Sequence, residues 1–417
     1  MRIIIAGGGI GGLTTALSLH AAGFDDVLVV EAARTIQPLG VGINLLPHAV
    51  RELTELGLAD RVTRLGVPTG ELAYFNRHGQ LIWSEPRGLG AGYRWPQYSV
   101  HRGRLQLALL DAVRERLGPD AVRTGSRLTG FAATPDEVVV ELGAERLTAD
   151  LLIAADGIRS AVRARLYPAE SAPLWNGLVL WRGVTRGKPF RGGRSMIMAG
   201  DHEQKFVAYP ISEPDHNGDV KINWVAERPV DGSAAARGDW NRLVDVDEFL
   251  PHFAEWQFDW LDVPATIRDA DVAYEYPMVD RDPLPKWTHG RVTLLGDAAH
   301  PMYPIGSNGA SQAVLDARVL SDALARLGDP VRACEAYEAE RRPPTAATQL
   351  ANREMGPELV IKLAHERAPH GFADIEQVLP LAERAEIAAR YKRTAGFDPE
   401  MLNERASYNA TVGGPRG

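Results

Sequence analysis

The residues with the clearest chemical meaning lie close to the N-terminus. Gly7, Gly9 and Gly12 form a GxGxxG pattern directly after the apolar run Ile3–Ala6. In such a turn one glycine makes the bend, one lets the backbone approach a pyrophosphate, and one lets the next helix pack on the strand. Glu31 ends a second apolar run, where a carboxylate accepts hydrogen bonds from ribose hydroxyls and repels a 2′-phosphate. The pattern predicts binding of NAD or FAD rather than NADP.

Two later carboxylates also follow short apolar runs. Asp156 comes after the run 150–155, and Asp297 comes after the run 291–295. A carboxylate at the carboxyl end of a parallel strand lies where α/β sheets bind ligands, so Asp297 is placed to accept hydrogen bonds from sugar or ribityl hydroxyls. The glycine-rich stretch Gly306–Ala310 is expected to open a helix whose free amides suit developing negative charge on a heterocycle.

Two further segments have a chemical and an ordinary interpretation. The glycine- and proline-containing stretch Pro38–Asn44 shows little helical or strand character. It fits a backbone that approaches something flat or bulky and, equally well, a plain surface loop. Arg102 lies where a helix is predicted to begin, so it and free backbone N–H groups could hold a phosphate. An arginine in a first helical turn is, however, more often simply solvated.

These residues require a parallel sheet with helices packed against it. The apolar runs predict strands of that sheet at 3–6, 27–30, 150–155 and 291–295. Helices are predicted at 13–20, 47–58, 102–117, 311–327 and 331–340, with a new helix beginning at Pro343-Pro344. A hairpin is predicted at 71–83, and a small excursion of three strands at 122–128, 137–142 and 145–149.

The character of the chain changes between residues 167 and 287. Strand-like segments at 177–185, 195–199, 205–211 and 220–226 alternate with turns, and six of the nine tryptophans lie here, at 175, 181, 224, 240, 256 and 260. The sequence therefore predicts an α/β fold in three parts. These are a Rossmann-like domain with a discontinuous parallel sheet (1–166 and 288–345), an inserted antiparallel-sheet substrate domain (167–287), and a helical C-terminal region (346–417).

Composition excludes several classes of function. The formal net charge is −8 and no basic tract stands out, so we expect neither nucleic acid nor an anionic membrane as a partner. No apolar run is long enough to span a bilayer, and the first strand begins beside Arg2, so we expect no leader segment and a cytoplasmic protein. The single cysteine, Cys334, excludes internal disulfides, zinc clusters and paired-cysteine redox centres, and no metal site is predicted.

Three motifs in order carry a resemblance to a known family. They are the GxGxxG turn with Glu31, the segment Asp156-Gly157-x-x-Ser160-x-x-Arg163, and the segment Gly296–Pro301. Together they resemble the single-component FAD-dependent aromatic hydroxylases, the group A flavoprotein monooxygenases that include salicylate and hydroxybenzoate hydroxylases. The likeness runs through about Arg353. It is greatest to members that act on 5-methylphenazine-1-carboxylate, in stretches such as PLGVGIN, WSEPRG, YPMVDRDPLP and GDAAHPMYPIGSNGASQA.

The resemblance implies a GR2-type FAD domain and assigns contacts to individual residues. The glycine turn, Gly7, Gly9, Gly11 and Gly12, would meet the pyrophosphate. Glu31 and Arg34 would bind the adenosine, with Leu128 beside the adenine, and Arg102 and Gln106 would reach the pyrophosphate and ribityl chain. Asp297 would bind the ribityl or pyrophosphate region. Val41, Gly42 and Ile43 would flank one side of the flavin, and Gly306, Asn308 and Gly309 its N1–C2=O edge. Asp156 belongs to a motif associated with both FAD and NAD(P)H.

The resemblance also implies a reaction. NAD(P)H would reduce FAD, and a flavin C4a-hydroperoxide formed with O2 would hydroxylate an aromatic or heteroaromatic substrate, phenazine- or salicylate-like. Tyr209 and Tyr303 are the candidates for lining the substrate cavity and taking part in catalysis. Trp181, Arg182 and His48 are weaker candidates, because packed aromatic residues and surface cations are common.

Other classes of function stay open beside the hydroxylase. A flavin-dependent halogenase is not favoured, because Trp256–Pro264 does not fit the WxWxIP spacing of those enzymes. A reductase or dehydrogenase of the same fold would not insert oxygen, and a flavoprotein that sequesters a polyaromatic ligand would not turn over. The expected partners are a small aromatic substrate and O2, with the chain a monomer or homodimer. The sequence leaves NADH against NADPH undecided.

Overall fold

Two sheets organise the computed structural model, which describes residues 1–38, 40–201, 203–231 and 242–413. In chain order the strands are β1 (Ile3–Ala6), β2 (Val27–Val30), β3 (Gly42–Leu45), β4 (Gly66–Pro68), β5 (Glu71–Asn76), β6 (Leu81–Pro86), β7 (Tyr98–His101), β8 (Val122–Arg123), β9 (Gly130–Ala133), β10 (Val138–Leu142), β11 (Glu145–Ala149), β12 (Leu151–Ala154), β13 (Leu174–Gly187), β14 (Ser195–Gly200), β15 (Lys205–Pro210), β16 (Val220–Pro229), β17 (Arg242–Val244), β18 (Gln257–Phe258), β19 (Leu261–Asp262), β20 (Ala270–Asp280), β21 (Thr288–His289) and β22 (Val292–Leu294). The α-helices are α1 (Ile10–Ala21), α2 (Pro47–Glu55), α3 (Ala59–Leu65), α4 (Arg102–Leu117), α5 (Ala161–Leu166), α6 (Val263–Arg268), α7 (Gly309–Leu327), α8 (Pro330–Arg353), α9 (Leu359–Arg367), α10 (Ile375–Val378), α11 (Leu381–Thr394) and α12 (Pro399–Glu404).

The first sheet has the order β21-β22-β12-β1-β2-β8 and is parallel except at β21. Its central strand β1 is fully buried, as a strand covered on both faces must be. The carboxyl ends of β1, β2, β12 and β22 meet at one edge. Gly7 and Glu31 follow their strands directly, and Asp156 and Asp297 follow theirs within three residues. The predicted Rossmann-like sheet is therefore confirmed, and residues far apart in the sequence face one crevice.

The second sheet has eight strands in the order β17-β20-β13-β16-β15-β14-β5-β6. The strands β13 to β16 confirm the four predicted in the insert. The pairs are antiparallel except that β14 runs parallel to β5. The predicted hairpin, β5 and β6, is thus hydrogen bonded into this sheet although it precedes the insert by many residues. Of the six tryptophans counted above, Trp240 lies outside the described residues.

Two local predictions were wrong. The stretch Gly42–Leu45 is a strand rather than part of a loop, because it pairs with Tyr98–His101 far along the chain, and this partner outweighs the local glycine content. The first strand of the predicted excursion, at 122–128, does not join the small sheet. Val122–Arg123 instead forms the parallel edge of the first sheet, and Gly130–Ala133 takes its place beside β10.

The helix predicted to end before Pro343-Pro344 continues through both prolines as α8. A proline in a helix removes one backbone donor and usually costs about 3 kcal/mol. The acceptors that lose their donors belong to Ala339 and Glu340, which are exposed to water, while Arg341 on the other side is buried. Solvation of these carbonyl groups lets packing on the buried side maintain the helix.

The three-part domain division stays a prediction. The strands β5 and β6 pair with the sheet of the insert, and α8 crosses the predicted boundary at 345. Among the described residues, no helix combines the length and the apolar character that a membrane span requires.

Candidate active site

The glycine turn between β1 and α1 is packed closely against other backbone atoms at Gly7 and Gly12. At Gly9 it leaves room for a ligand. Gly7 has a φ of +108°, and a Cβ there would lie 2.3 Å from the carbonyl oxygen of Ala155. A Cβ on Gly12 would lie 2.0 Å from the carbonyl oxygen of Gly7. A Cβ on Gly9, by contrast, would meet no atom of the described residues within 4 Å. The turn therefore leaves free space at Gly9, the N-cap residue just before α1, where the helix presents its free amides.

Glu31 lies beside this turn at the end of β2. Its carboxylate accepts hydrogen bonds from the N–H groups of Gly8 at 2.8 Å and Ala33 at 2.7 Å. Gln106, on α4, donates from Nε2 to the carbonyl oxygen of Gly8 at 2.7 Å. Both side chains thus support the glycine turn, while Arg34 is exposed beside them.

Asp156 and Leu128 each have contacts within the protein. Asp156 Oδ2 accepts from the N–H of Ala161 at 2.8 Å at the start of α5. Its other oxygen is buried and has no hydrogen-bond partner among the described residues, and burial raises the pKa of the carboxyl group. Leu128 is a buried core residue.

Asp297 follows β22 in a short turn that a buried ionic network holds. Solvent reaches Asp297 through the crevice, but the surrounding protein atoms raise the pKa of its carboxyl group, an effect that His300 and Arg102 oppose. Behind the turn, the fully buried Asp316 accepts from His300 Nε2 at 2.5 Å, Arg341 Nε at 2.8 Å and the N–H of Gly296 at 3.1 Å. These charges hold the pKa of Asp316 below its ordinary range against the effect of burial.

The C-terminal region supports the turn before α7. Gly306 has a φ of +66°, and a Cβ there would lie 2.2 Å from the hydroxyl oxygen of Tyr391 on α11. Asn308 is fully buried and donates from Nδ2 to that hydroxyl at 2.9 Å, and the hydroxyl donates to Asn352 Oδ1 at 2.7 Å. Gly309 begins α7 and lies beside Asp297. The predicted segment Gly306–Gly309 and Asp297 therefore lie next to each other at the start of α7.

The segment Val41–Ile43 is fixed against the insert sheet. The N–H of Gly42 donates to Asn223 Oδ1 at 2.6 Å, and its carbonyl oxygen accepts from Arg182 Nη2 at 3.1 Å. A Cβ on Gly42 would lie 2.8 Å from atoms of both Asn223 and Tyr209. The N–H of Arg102 also donates to the carbonyl oxygen of Val41 at 3.0 Å. This strand thus joins α4 to the second sheet.

Tyr209 and Tyr303 lie on the same side of the second sheet. Tyr209 is buried with methionine and aliphatic side chains, and Tyr303 is buried beside Leu180 and Met278, while Val225 packs against both groups. Burial raises the pKa of each hydroxyl to about 12; Arg182 opposes this effect at Tyr209. Both tyrosines are therefore neutral hydrogen-bonding groups near neutral pH.

Two of the weaker candidates point elsewhere. Trp181 lies in the apolar core on the opposite face of the sheet, where it stacks on Phe249 with ring centroids 4.6 Å apart. His48 is fully buried against Phe397, and burial lowers its pKa well below its usual value. Neither is placed with Tyr209.

The sequence did not single out four residues that hold the site in place: Asn223, Asp316, Asn352 and Tyr391. Each is an isolated polar residue within a strand or helix pattern, and no motif surrounds it. Their contacts join segments that lie far apart in the chain, so local patterns carry no signal for them.

The comparisons with known proteins agree with this geometry. A family model described as a FAD binding domain matches residues 1–177 and 275–352. A phenazine 1,6-dicarboxylic acid hydroxylase from Lysobacter antibioticus is 49% identical over 362 residues, which is 84% of this chain and 89% of that protein. The chain belongs to the FAD-dependent aromatic hydroxylases.

More distant aromatic hydroxylases also match along most of their length. A 3-hydroxybenzoate 6-hydroxylase from Klebsiella oxytoca is 32% identical over 376 residues, covering 85% of this chain and 88% of that protein. The structure of HpxO from Klebsiella pneumoniae, solved with FAD and uric acid, has the same fold. It has a TM-score of 0.74 at 24% identity and covers 96% of each chain.

FAD is the cofactor of this hydroxylase, and NAD(P)H is the reductant typical of its family. The structure fits FAD on its own terms. The free space at Gly9 admits a pyrophosphate that a side chain would exclude. Glu31 and Asp297 both follow strands of the same sheet at their carboxyl ends, where such sheets bind nucleotide cofactors.

Proposed function

We propose that this hydroxylase acts on a fused heteroaromatic acid of the phenazine carboxylate class, consuming NAD(P)H and O2. The observation that carries the proposal is the 49% identity to a phenazine 1,6-dicarboxylic acid hydroxylase across most of both chains. The sheet face that carries Tyr209 supports it, because methionine and aliphatic side chains there suit a flat apolar ring system.

We infer the following roles for the crevice residues. Gly7, Gly9, Gly11 and Gly12 receive the pyrophosphate, Glu31, Arg34 and Leu128 the adenosine, and Arg102, Gln106 and Asp297 the pyrophosphate and ribityl chain. Asp156 lies at the entrance shared with NAD(P)H. Val41, Gly42 and Ile43 lie on one side of the flavin ring, and Gly306, Asn308 and Gly309 on the other.

Bound FAD supplies hydride acceptance from NAD(P)H and transfer of one oxygen atom of O2 to the ring. The chain's own contribution is positional. The N-terminus of α7 beside Asn308 directs backbone N–H groups and a positive helix end at developing negative charge. The buried side chains around Tyr209 and Tyr303 exclude water, and the two neutral hydroxyls can donate hydrogen bonds to the substrate.

The test uses the purified FAD-loaded protein under air. NADPH and NADH consumption and hydrogen peroxide yield are measured with phenazine-1-carboxylate, phenazine-1,6-dicarboxylate, salicylate and 3-hydroxybenzoate. The products are analysed by mass spectrometry after reaction with 18O2. The proposal expects a phenazine acid to accelerate reductant use, with one labelled oxygen in the product and little peroxide.

Other outcomes separate the alternatives. Faster reductant use with an altered but unlabelled product would indicate a reductase or dehydrogenase. Binding without any turnover would indicate a protein that sequesters the ligand. Preference for salicylate or 3-hydroxybenzoate would retain the hydroxylase and overturn the phenazine class.

A further inference from the structure

Two cations, Lys205, which is buried, and Arg182, which is partly buried, occupy the same face of the second sheet. Lys205 pairs in register with Glu227, and Arg182 with Val225, across the shared strand β16. Side chains at alternate positions of a strand share a face, so Val225 and Glu227 lie together, and the two cations lie with them. This is also the face of Tyr209, which pairs with Asn223.

Lys205 has acidic partners for its charge. Its ammonium group forms an ion pair with Glu227 at 3.2 Å and a second, shorter ion pair with Glu358 from the C-terminal region. All three residues are buried. Burial of an unpaired charge is costly, and this pairing is the usual solution.

Arg182 has no such partner. Within the described ranges no carboxylate forms an ion pair with it. The positive charge of Arg102 lowers the pKa of Arg182 further, in addition to the effect of burial. Its guanidinium donates a hydrogen bond to the carbonyl oxygen of Gly42 at 3.1 Å, interacts with the Tyr209 hydroxyl, and lies 6.0 Å from the ring centroid of Tyr276. Its Nε is buried and has no acceptor among the residues that the structure describes.

A second unused donor lies beside it. Asn223 is fully buried, and its Oδ1 accepts from Gly42, but its Nδ2 has no partner of good hydrogen-bond geometry in the described part of the chain. The Tyr209 hydroxyl lies next to both Arg182 and Asn223. The part of the face around Arg182 thus presents a cation and two neutral polar groups, while the described carboxylates of this face, Glu227 and Glu358, pair with Lys205.

A carboxylate is the group that completes this arrangement. It is planar, it accepts two parallel hydrogen bonds from a guanidinium, and it accepts further bonds from amide and hydroxyl donors. The apolar side chains on the same face, Leu180, Val225 and Met278, would contact the ring that carries it. We propose that Arg182, with Asn223 and Tyr209 beside it, binds the carboxylate of the aromatic substrate.

This proposal rests on the proposed function, and it assigns the enzyme's selectivity for aromatic acids to the guanidinium of Arg182. The test compares binding of phenazine-1-carboxylate with that of phenazine-1-carboxamide, followed by the change in flavin absorbance of the FAD-loaded protein. The titration contains no NAD(P)H, so it does not depend on turnover. Arg182→Met removes the charge at similar volume, and Arg182→Lys retains the charge without the two-pronged geometry. Arg186→Met, on an exposed part of the same strand, is the matched control.

Wild-type protein is expected to prefer the acid. In Arg182→Met, affinity for the acid should fall roughly 10- to 100-fold while affinity for the amide changes little, so the preference disappears. Arg182→Lys should lie between, and Arg186→Met should match wild type. FAD affinity, measured separately by dialysis and fluorescence, should be unchanged.

Three results would overturn the assignment. They are equal wild-type affinity for acid and amide, an equal loss for both ligands in Arg182→Met, and a fall in FAD affinity with ligand preference retained, which would place Arg182 against the cofactor. If Arg182→Met does not fold, Arg182→Lys decides alone by its acid-to-amide ratio. A protein that binds the acid through Arg182 but inserts no 18O would contradict the proposed function and leave this inference standing.

Discussion

Two regions of the candidate site are built by different means. One is the crevice at the edge of the first sheet, with the glycine turn, Glu31 and Asp297; the other is the face of the second sheet that carries Arg182, Tyr209 and Asn223. The crevice uses backbone: two glycines, Gly7 and Gly12, whose surroundings leave no room for a side chain, a helix N-terminus, and carboxylates that follow parallel strands. The sheet face uses side chains at alternate positions. The residue next to each of them in the sequence points to the other side of the sheet and packs in the core. Arg182 follows Trp181, Tyr209 follows Ala208, and Asn223 precedes Trp224.

The difference shows what each construction demands of the sequence. A backbone site needs particular residues at fixed spacing, because a Cβ in the wrong place would clash. A side-chain site on a strand needs only one residue in two, and the other residue packs in the core. We therefore expect changes on the packed face to affect stability, and changes facing the crevice to affect ligands.

The largest expected effect is on the packed face. Trp224 is fully buried there, lies against Gly183 and donates from Nε1 to Thr185 Oγ1 at 3.0 Å. Trp224→Ala should lower the free energy of unfolding by about 3–5 kcal/mol because it leaves a large cavity. Denaturant unfolding measures this. Leu243→Ala, at a side chain that is 62% exposed, is the control and should have little effect. A loss below about 1 kcal/mol would contradict the division of the second sheet into a packed face that stabilises the fold and a face that binds ligands.

The glycine turn offers a paired test. Gly12→Ala should destabilise the fold by about 1–3 kcal/mol, since its Cβ would overlap the carbonyl oxygen of Gly7. Gly9→Ala should fold normally, since its Cβ would meet no atom within 4 Å in the described part of the chain, but it should lose FAD. Thermal unfolding of the apoprotein and the flavin content after purification are the two measurements. Full FAD retention by Gly9→Ala would remove the pyrophosphate from this position.

The carboxylate beside the turn should have a smaller effect. Glu31→Ala should weaken FAD binding by about 1–3 kcal/mol through loss of charge-assisted hydrogen bonds. Fluorescence titration of the apoprotein with FAD measures this. Asp25→Ala, at an exposed carboxylate at the opposite end of β2, is the control. Equal affinities for both variants would contradict the adenosine assignment.

The smallest effect is expected at Tyr209. Burial raises its pKa to about 12, so the hydroxyl keeps its proton throughout pH 6–9 and does not act as a phenolate base there. Tyr209→Phe should lower kcat/KM by roughly 5- to 10-fold, which corresponds to one hydrogen bond of about 1 kcal/mol. The shape of the pH profile should stay that of wild type. Loss of an ionisation from the profile of the variant would show that Tyr209 titrates in that range.

The sequence predicted the crevice far better than the sheet face. The strands before Gly7, Glu31 and Asp297 follow from local patterns, and the parallel sheet confirms these strands. The orientation of β13 does not follow in this way. Trp181 and Arg182 are both compatible with either face, and only the pairing of β13 with its neighbours decides between them.

The C-terminal region could not be interpreted for the same reason. Tyr391 contacts Asn308 and Gly306, more than eighty residues earlier, and nothing in its own helix marks this. The prolines of α8 misled because their effect depends on which carbonyl groups water can reach. Long-range contacts and solvent exposure decide these positions, and neither is a local property.

The contact between Tyr391 and the turn at Gly306 also orders events during synthesis. A ribosome releases the glycine turn and Glu31 early, but β22 and α7 only after the whole insert, and α11 later still. Because domains tend to fold as the chain emerges, the nascent protein holds an incomplete crevice for most of translation. The flavin-side turn gains its tyrosine support only when residue 391 is available, so secure loading of FAD is expected to follow chain growth rather than accompany it.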